Sequence, residues 1–223
     1  MSLVSRTLRL TATVALLIIG SLMIPSAAQA TTSTTPDANT ITGGQTVYFG
    51  SGRCLTGFSV EHHNDGDGFV TFGGCGSVGQ QVSLSPNGEP IGVVRAKSLA
   101  WLYVDLYEGW TAEAQVLGQH AVIGTNQAPV GASVCRSGST TGWHCGTITS
   151  HNQSISYPEG TITGVSRTNL CPEPGELGAP FLSGGHAQGI GLGGNGNCAS
   201  GGNTYYYPVT AIANAAGVTV KTV

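Results

Sequence analysis

Glycine restricts the fold of this chain more than any other residue, because 35 glycines among 223 residues divide it into short segments. Apolar or alternating runs stand between clusters of Gly, Asn, Asp and Ser, as in Thr46–Phe49, Gly68–Phe72 and Thr147–Thr149. Short runs bounded by turn residues predict β-strands that are joined by tight turns. The sequence therefore predicts an all-β sandwich or barrel.

One segment near the C-terminus has the pattern of a helix. Pro208–Ala216 begins with proline, continues with small helix-forming residues and is followed by Gly217, which is a usual stop signal. Ala112–Leu117 is too short to be predicted as a helix. We therefore expect a single short helix at the C-terminal end.

The first 30 residues have the pattern of a secretory signal peptide. An apolar run over residues 10–24 follows two arginines, and Ala28–Ala30 offers a small-x-small cleavage site. An uncleaved anchor helix is the alternative, but the run is short and ends at Pro25. We expect a protein secreted to the extracellular space, with residues 31–40 as a short linker and no membrane contact after cleavage.

The charge of the chain excludes some classes of partner. Only 9% of the residues are charged, well below the ~25% of an average domain. Cleavage of the signal removes Arg6 and Arg9 and moves the formal net charge from −3 to −5. An acidic, sparsely charged domain has no basic surface for nucleic acid, and we expect no nucleic-acid partner.

Six cysteines follow the signal segment, and an even number in an exported protein predicts disulfides. They are Cys54, Cys75, Cys135, Cys145, Cys171 and Cys198. Six cysteines allow 15 pairings, among which the spacing alone does not choose. No C-x-x-C pair or zinc-like His/Cys spacing occurs, so we expect neither a metal nor a cofactor.

Several motifs identify a family. The segment Val134–Gly146 reads V-C-R-S-G-S-T-T-G-W-H-C-G, and Cys54–Val60, Ala187–Ile190 and Asn195–Cys198 support it. From Ala38 to Val223 the chain resembles the secreted bacterial chymotrypsin-like serine proteases of the alpha-lytic protease and streptogrisin group.

The resemblance implies a fold of two packed antiparallel β-barrels with the substrate cleft between them. Residues 41–120 would form the N-terminal barrel, and residues 121–223 the C-terminal barrel and helix. It also implies the disulfides Cys54–Cys75, Cys135–Cys145 and Cys171–Cys198. Relatives carry a large pro-region after the signal. Here only about residues 31–37 occupy that place, so we expect a domain that folds without one.

The three catalytic positions of the family are all substituted. Gly74 stands where the family motif T-A-G-H-C has its histidine, and Ser98 stands where N-D-x-A-W-V has its aspartate. Leu177, within Cys171–Pro180, stands where G-D-S-G-G has its serine. Leucine and glycine offer no nucleophile and no base, so no catalytic residue is expected.

Binding features of the cleft are expected to remain. Gly175 and Leu177 hold the backbone positions of the family's oxyanion hole, which does not depend on side chains. The substrate-pairing strand of the family corresponds to Gly191, Leu192, Gly193 and Gly194, where Leu192 replaces a serine. An extended peptide could pair with this strand, or the glycines could only shape the barrel wall.

We interpret the chain as a secreted, catalytically inactive serine-protease homologue that acts by binding. The expected partner is an extracellular peptide, a protease inhibitor or another extracellular protein, bound by a monomer. One alternative is an active serine-type endopeptidase, a hydrolase with a displaced nucleophile. A second is a structural extracellular domain with no specific ligand.

Overall fold

The computed structural model describes residues 39–63, 66–117 and 119–223. The predicted signal peptide and linker therefore lie almost wholly outside the described residues. Ten strands occupy the N-terminal part of the described chain. They are β1 Thr40–Gly43, β2 Thr46–Phe49, β3 Gly52–Leu55, β4 Phe58–His62, β5 Gly66–Thr71, β6 Gln81–Ser83, β7 Pro90–Lys97, β8 Leu102–Leu106, β9 Thr111–Val116 and β10 His120–Ala121.

The remaining elements of the described chain are seven strands and one α-helix. They are β11 Ser133–Gly138, β12 Gly142–Tyr157, β13 Gly160–Thr168, β14 Pro180–Ser183, β15 His186–Asn197, β16 Gly201–Pro208, α1 Val209–Ala216 and β17 Val218–Val220. The predictions of an all-β protein and of one C-terminal helix are confirmed. No helix in the described part of the chain is long and apolar enough to cross a membrane.

Pairing between strands divides the described chain into a closed barrel and two sheets. Strands β11 to β16 close into a six-stranded barrel in the order β11-β12-β13-β16-β15-β14. An eight-stranded sheet has the order β17-β4-β5-β8-β7-β6-β2-β3, and a three-stranded sheet has the order β1-β9-β10. The predicted boundary at residue 120 falls inside β10. Strand β17 crosses back to the N-terminal sheet, where it pairs with β4.

Strand β8 explains how one sheet serves two apolar cores. Its five residues are all buried, and side chains alternate between the faces of a strand. Leu102 and Val104 belong to a core inside the N-terminal part, while Tyr103 belongs to a second core at the junction with the barrel. Asp105 is buried as well and accepts a hydrogen bond from Arg95 at 2.9 Å.

The junction core joins the two parts of the molecule. It includes Phe58 and Val70 from the N-terminal sheet, Ile190 from the barrel and Ile212 from α1. A third core, which includes Phe181 and Tyr206, lies within the barrel. The two parts therefore share one continuous apolar core.

Helix α1 ends where the sequence predicted. Gly217 has a φ of 69°, a left-handed conformation that glycine adopts without steric penalty. Its N–H donates to the carbonyl of Ala213, as is usual at a helix C-terminus. Val209 and Ile212 form the buried face of the helix.

The three predicted disulfides are confirmed. They join Cys54 to Cys75, Cys135 to Cys145 and Cys171 to Cys198. The first holds the Gly73–Cys75 turn against β3. The third ties the loop after β13 to the end of β15.

Candidate functional site

The loop that follows β13 carries Leu177 to the surface of the N-terminal part. The N–H of Leu55 donates to the carbonyl of Leu177 at 2.9 Å. Gly178 has a φ of 84°, and a Cβ there would overlap the Thr71 hydroxyl and the Leu55 carbonyl. Only glycine fits this contact, so the family's glycine at this position fixes the loop at the cleft.

A buried ion pair shapes the same loop from within. Arg136 of β11 lies 2.6 Å from the carboxylate of Glu176, and the two side chains are 1% and 5% exposed. The second carboxylate oxygen accepts hydrogen bonds from the N–H and hydroxyl of Thr141, at 3.1 and 2.7 Å. Glu176 Oε2 also accepts the N–H of Glu173 at 3.0 Å, which closes a tight turn around Pro174.

The protonation of Glu176 follows from these contacts. Burial favours the neutral acid and by itself raises the pKa of Glu176. Hydrogen bonds from Arg136 and Thr141, together with the charge of Arg136, outweigh burial and bring the pKa below its usual value of 4.5. Glu176 is therefore a charged, fully engaged structural group rather than an acid or base for chemistry.

Gly74, which the sequence motif predicts at the position of the family histidine, is covered by a neighbouring aromatic ring. A Cβ on Gly74 would lie 2.5 Å from Cε1 of Phe72. Phe72 is 8% exposed and packs against Tyr157, with 6.1 Å between the ring centroids. Phe72 replaces the alanine of the family motif, so a ring covers the place where the imidazole would begin.

Ser98 remains beside this turn but has no partner there. Its hydroxyl accepts the backbone N–H groups of Ala100 and Trp101 at 3.1 and 3.3 Å. The carbonyls of Ser98 and Leu99 lie so close to Gly73 that a Cβ there would overlap them. The Gly73–Cys75 turn and the Ser98 turn are therefore in contact, while the hydroxyl of Ser98 only organises its own turn.

A cavity of about 300 Å³ opens beside Leu177. It lies between the Cys171–Pro180 loop and β15, where the sequence predicted a binding cleft. Its lining residues are Arg136, Pro172, Glu173, Pro174, Gly175, Glu176, Leu177, Gly193, Gly194, Gly196 and Thr204. The predicted residues Gly175, Leu177, Gly193 and Gly194 are therefore brought together at one site.

The Leu177 side chain lies at the edge of this cavity. It is 37% exposed, which is unusual for a large apolar residue in this protein. Its Cδ2 atom is 3.5 Å from the position that a Cβ on Gly193 would occupy. Leu177 therefore narrows the cavity between the loop and β15 without filling it.

One backbone acceptor of the predicted peptide-pairing strand is already used by another side chain of the protein. The pairing of strand β15 with β14 ends at Ile190. Among the described strands, residues 192–197 therefore have a partner on the β16 side alone. The hydroxyl of Tyr157 donates to the carbonyl of Leu192 at 2.6 Å. Burial raises the pKa of Tyr157 above 10.0, so this hydroxyl keeps its proton and remains a donor.

The two backbone donors that the sequence assigned to an oxyanion hole have no partner among the described residues. Within the described residues, the N–H groups of Gly175 and Leu177 make no hydrogen bond. Gly175 has a φ of 87°, and its carbonyl accepts the Ser139 hydroxyl at 3.0 Å. Two unpaired N–H groups beside a cavity can bind a carbonyl or carboxylate oxygen.

None of the described histidines lines the cavity. His151 is held by Ser166 and the Ala128 carbonyl at 2.8 and 3.1 Å, which is a structural role. His120 stacks on Trp143 with 3.7 Å between ring centroids. The described walls of the cavity therefore offer no histidine as a general base, and the carboxylates of Glu173 and Glu176 that line it are held by Cys198 N–H and by Arg136.

One cluster of the described residues has the spacing of a metal site. His144, Cys171 and Cys198 bring three candidate ligand atoms within 4.8 Å of one another. Both cysteines are joined in a disulfide, and a metal requires the thiolate. In this form the cluster does not fit a metal ion.

Sequence reasoning missed three side chains at the site: Phe72, Tyr157 and Arg53. Phe72 had a visible signal, since it replaces a small residue directly before the two glycines of the turn. Tyr157 and Leu192 are 35 residues apart, and no local pattern predicts their hydrogen bond. The guanidinium of Arg53 lies against Gly175, a contact between β3 and a loop that is distant in the sequence.

Comparison with known proteins agrees with this geometry. No family model matches the chain. It is 45% identical over 192 residues to Streptogrisin-C of Streptomyces griseus, covering 82% of the chain but only 41% of that protein. It is 35% identical to Serine protease 2 of Streptomyces fradiae, covering 74% of the chain and all of that protein.

Solved structures show the same relationship. Protease A of Thermobifida fusca is 41% identical and superposes with a TM-score of 0.76, over 82% of this chain and all of that one. An identity of this size over a whole solved chain indicates shared ancestry as well as a shared fold. The chain therefore belongs to the streptogrisin and alpha-lytic protease family of chymotrypsin-like serine proteases.

Proposed function

We propose that this protein is a secreted, catalytically inactive member of its family that binds an extracellular peptide in the cleft beside Leu177. The observation that carries the proposal is that the predicted nucleophile and base positions both lack a reactive side chain. Leu177 has no nucleophilic atom, and Gly74 has no base and is covered by the Phe72 ring. Loss of such a triad lowers turnover by about a million-fold.

Binding is supported by what the cleft retains. A cavity of about 300 Å³ borders two unpaired backbone N–H groups, those of Gly175 and Leu177. The buried Arg136–Glu176 pair holds this loop in place at 2.6 Å. A cavity with largely apolar walls and a few polar groups beside it is the usual form of a ligand site.

Export is part of the proposal. Three disulfides are typical of proteins that fold in oxidising compartments. Residues 1–30 would supply the signal peptide. A protease inhibitor or another extracellular protein could present the bound peptide segment.

Membership in a protease family favours one competing function, that of an active serine-type endopeptidase. Such an enzyme needs a displaced nucleophile, and no histidine among the described residues lines the cavity to activate one. The two functions differ in a single chemical property, which is reactivity toward a serine-directed phosphonate.

The test is fluorophosphonate labelling of the purified protein. The positive control combines Phe72→Ala, Gly74→His, Ser98→Asp and Leu177→Ser in one variant. We expect no labelling of the natural protein and clear labelling of the variant. Labelling of the natural protein, with the site then located by mass spectrometry, would overturn the inactive assignment.

A further inference from the structure

One histidine side chain lies against a disulfide at the start of the loop that follows β13. Nε2 of His144 is 3.6 Å from Sγ of Cys171, which is joined to Cys198. The ligand atoms of these three residues all lie within 4.8 Å of one another. None of the three residues lines the cavity beside Leu177. They form a separate cluster of one imidazole nitrogen and two sulfurs.

The distance between His144 and Cys171 matches that between two ligands of one metal ion. Zinc binds sulfur at about 2.3 Å and imidazole nitrogen at about 2.0 Å, so a tetrahedral site places these two atoms about 3.5 Å apart. The observed separation of Nε2 and Sγ is 3.6 Å. The two side chains therefore need little rearrangement to share an ion.

The backbone of His144 is held without help from the Cys171–Cys198 bond. His144 lies on β12, where it pairs with Arg136 of β11. The next residue, Cys145, is joined to Cys135 of β11 by another disulfide. His144 is therefore a ligand whose position is fixed before any metal arrives.

Cys198 is the ligand that has room to move. It is exposed and lies in the turn between β15 and β16, whereas Cys171 is buried. Once the disulfide is reduced, its sulfur can move to about 3.8 Å from that of Cys171, the spacing of two thiolates on one zinc ion. Glu173 Oε1 accepts the N–H of Cys198 at 2.8 Å, and this nearby negative charge favours a cation.

We propose that reduction of the Cys171–Cys198 disulfide creates a zinc site with His144, Cys171 and Cys198 as ligands and water in the fourth position. A dithiol supplies two electrons and two protons to the disulfide and is itself oxidised to a disulfide. Zinc then displaces the two thiol protons to solvent as two Zn–S bonds and one Zn–N bond form. The metal would replace the disulfide as the link between the loop after β13 and the end of β15.

The test uses Co²⁺ as the probe, because tetrahedral cobalt bound to thiolate has intense visible and near-ultraviolet absorption bands. The purified protein is reduced at neutral pH with tris(2-carboxyethyl)phosphine, which becomes its oxide, and is titrated with cobalt chloride. We expect one tetrahedral cobalt ion per reduced chain and none in the oxidised protein. Zn²⁺ should displace the cobalt and remove the bands, since zinc binds such sites more tightly.

Variants assign the ligands. His144→Ala should weaken Co²⁺ binding at least about tenfold, because loss of a ligand costs no less than loss of an outer-shell partner. His63→Ala, at an exposed histidine outside the cluster, should leave the affinity unchanged. The phosphine also reaches the other disulfides, so the double variant Cys171→Ser, Cys198→Ser is reduced and titrated in parallel. It should show no tetrahedral cobalt bands.

Other results would overturn the site. Bands of equal strength in the double variant would place the cobalt on other cysteines, and unchanged affinity in His144→Ala would remove the histidine. Far-ultraviolet circular dichroism follows folding throughout. A reduced protein that unfolds should regain its β-sheet signal when Zn²⁺ is added, and failure to regain it would count against the proposal, as would a folded reduced protein that binds no cobalt. Fluorophosphonate labelling tests the proposed function separately from each of these results.

Discussion

At the scale of single residues, the contact between Gly74 and Phe72 limits which side chain position 74 can hold. Gly74 leaves room that Phe72 occupies, and the Phe72 ring then packs on Tyr157 with 6.1 Å between centroids. A histidine returned to position 74 would begin 2.5 Å from that ring. Phe72 must therefore move or be shortened before an imidazole can reach a nucleophile.

This overlap leads to a prediction about restoring catalysis. The triple variant Gly74→His, Ser98→Asp, Leu177→Ser should react slowly with a fluorophosphonate, because Phe72 displaces the imidazole. Adding Phe72→Ala should raise the labelling rate by about a hundredfold, the usual effect of correcting a misplacement near 1 Å. Equal rates for the two variants would show that Phe72 does not obstruct the site.

The Arg136–Glu176 pair gives a second prediction, on stability. Glu176→Gln should lower the free energy of unfolding by about 3 kcal/mol, because it leaves the buried Arg136 charge uncompensated. Glu113→Gln on the exposed face of β9 is the matched control and should change stability by less than about 0.5 kcal/mol. Urea unfolding at pH 7 measures both.

The same pair predicts a pH dependence. The pKa of Glu176 is below 4.5 in the folded protein, so its stabilising contribution is full above that value and is lost as the pH falls through the folded pKa. Between pH 5 and 3, unfolding free energy should therefore fall more steeply in the natural protein than in Glu176→Gln. Parallel curves for the two proteins would contradict this assignment.

At the scale of elements, the contact between β12 and β15 controls access to the pairing strand. Tyr157 ends β12, and its hydroxyl donates to the Leu192 carbonyl at 2.6 Å. This carbonyl lies at a register shift in β15, between Gly191 and Gly193. One acceptor that an extended peptide could use is therefore occupied by the protein itself.

Tyr157→Phe should free that acceptor. We expect stability to fall by about 1 kcal/mol, the net value of a typical hydrogen bond. We also expect acetyl-Ala-Ala-Phe to bind severalfold more tightly, because its own N–H groups can then reach Leu192. Tyr48→Phe on β2 is the control, and calorimetry compares the two. Unchanged affinity in Tyr157→Phe would show that bound peptides do not pair with Leu192.

Sequence patterns predicted these elements unevenly. The strands and the C-terminal helix follow from turn residues and from Gly217, whereas the disulfide pairing came from the family resemblance and not from spacing. The contacts that shape the cleft join residues that are distant in the sequence, such as Tyr157 with Leu192 and Arg53 with Gly175. Alternation and spacing describe neighbours along the chain. They carry no information about contacts between residues that are far apart in the sequence.

At the scale of the whole molecule, the chain crosses between its two parts at its end. Helix α1 packs into the junction core, and β17 then pairs with β4 of the N-terminal sheet. Val218 and Val220 are 6% and 7% exposed, and Lys221 lies 2.6 Å from Asp67. Six residues at the C-terminus therefore complete a sheet whose other strands come from the first half of the described chain.

Removing these residues tests whether the two parts unfold together. A variant that ends at Gly217 should lose at least about 3 kcal/mol, from exposure of two valine side chains and loss of the ladder with β4. Because the junction core is shared, thermal unfolding should remain a single transition at a lower midpoint. Val223→Ala, at a side chain that is 75% exposed, should leave the midpoint almost unchanged. Two separate transitions in the shortened variant would instead show that the barrel is stable without the N-terminal sheet and that the two parts unfold independently.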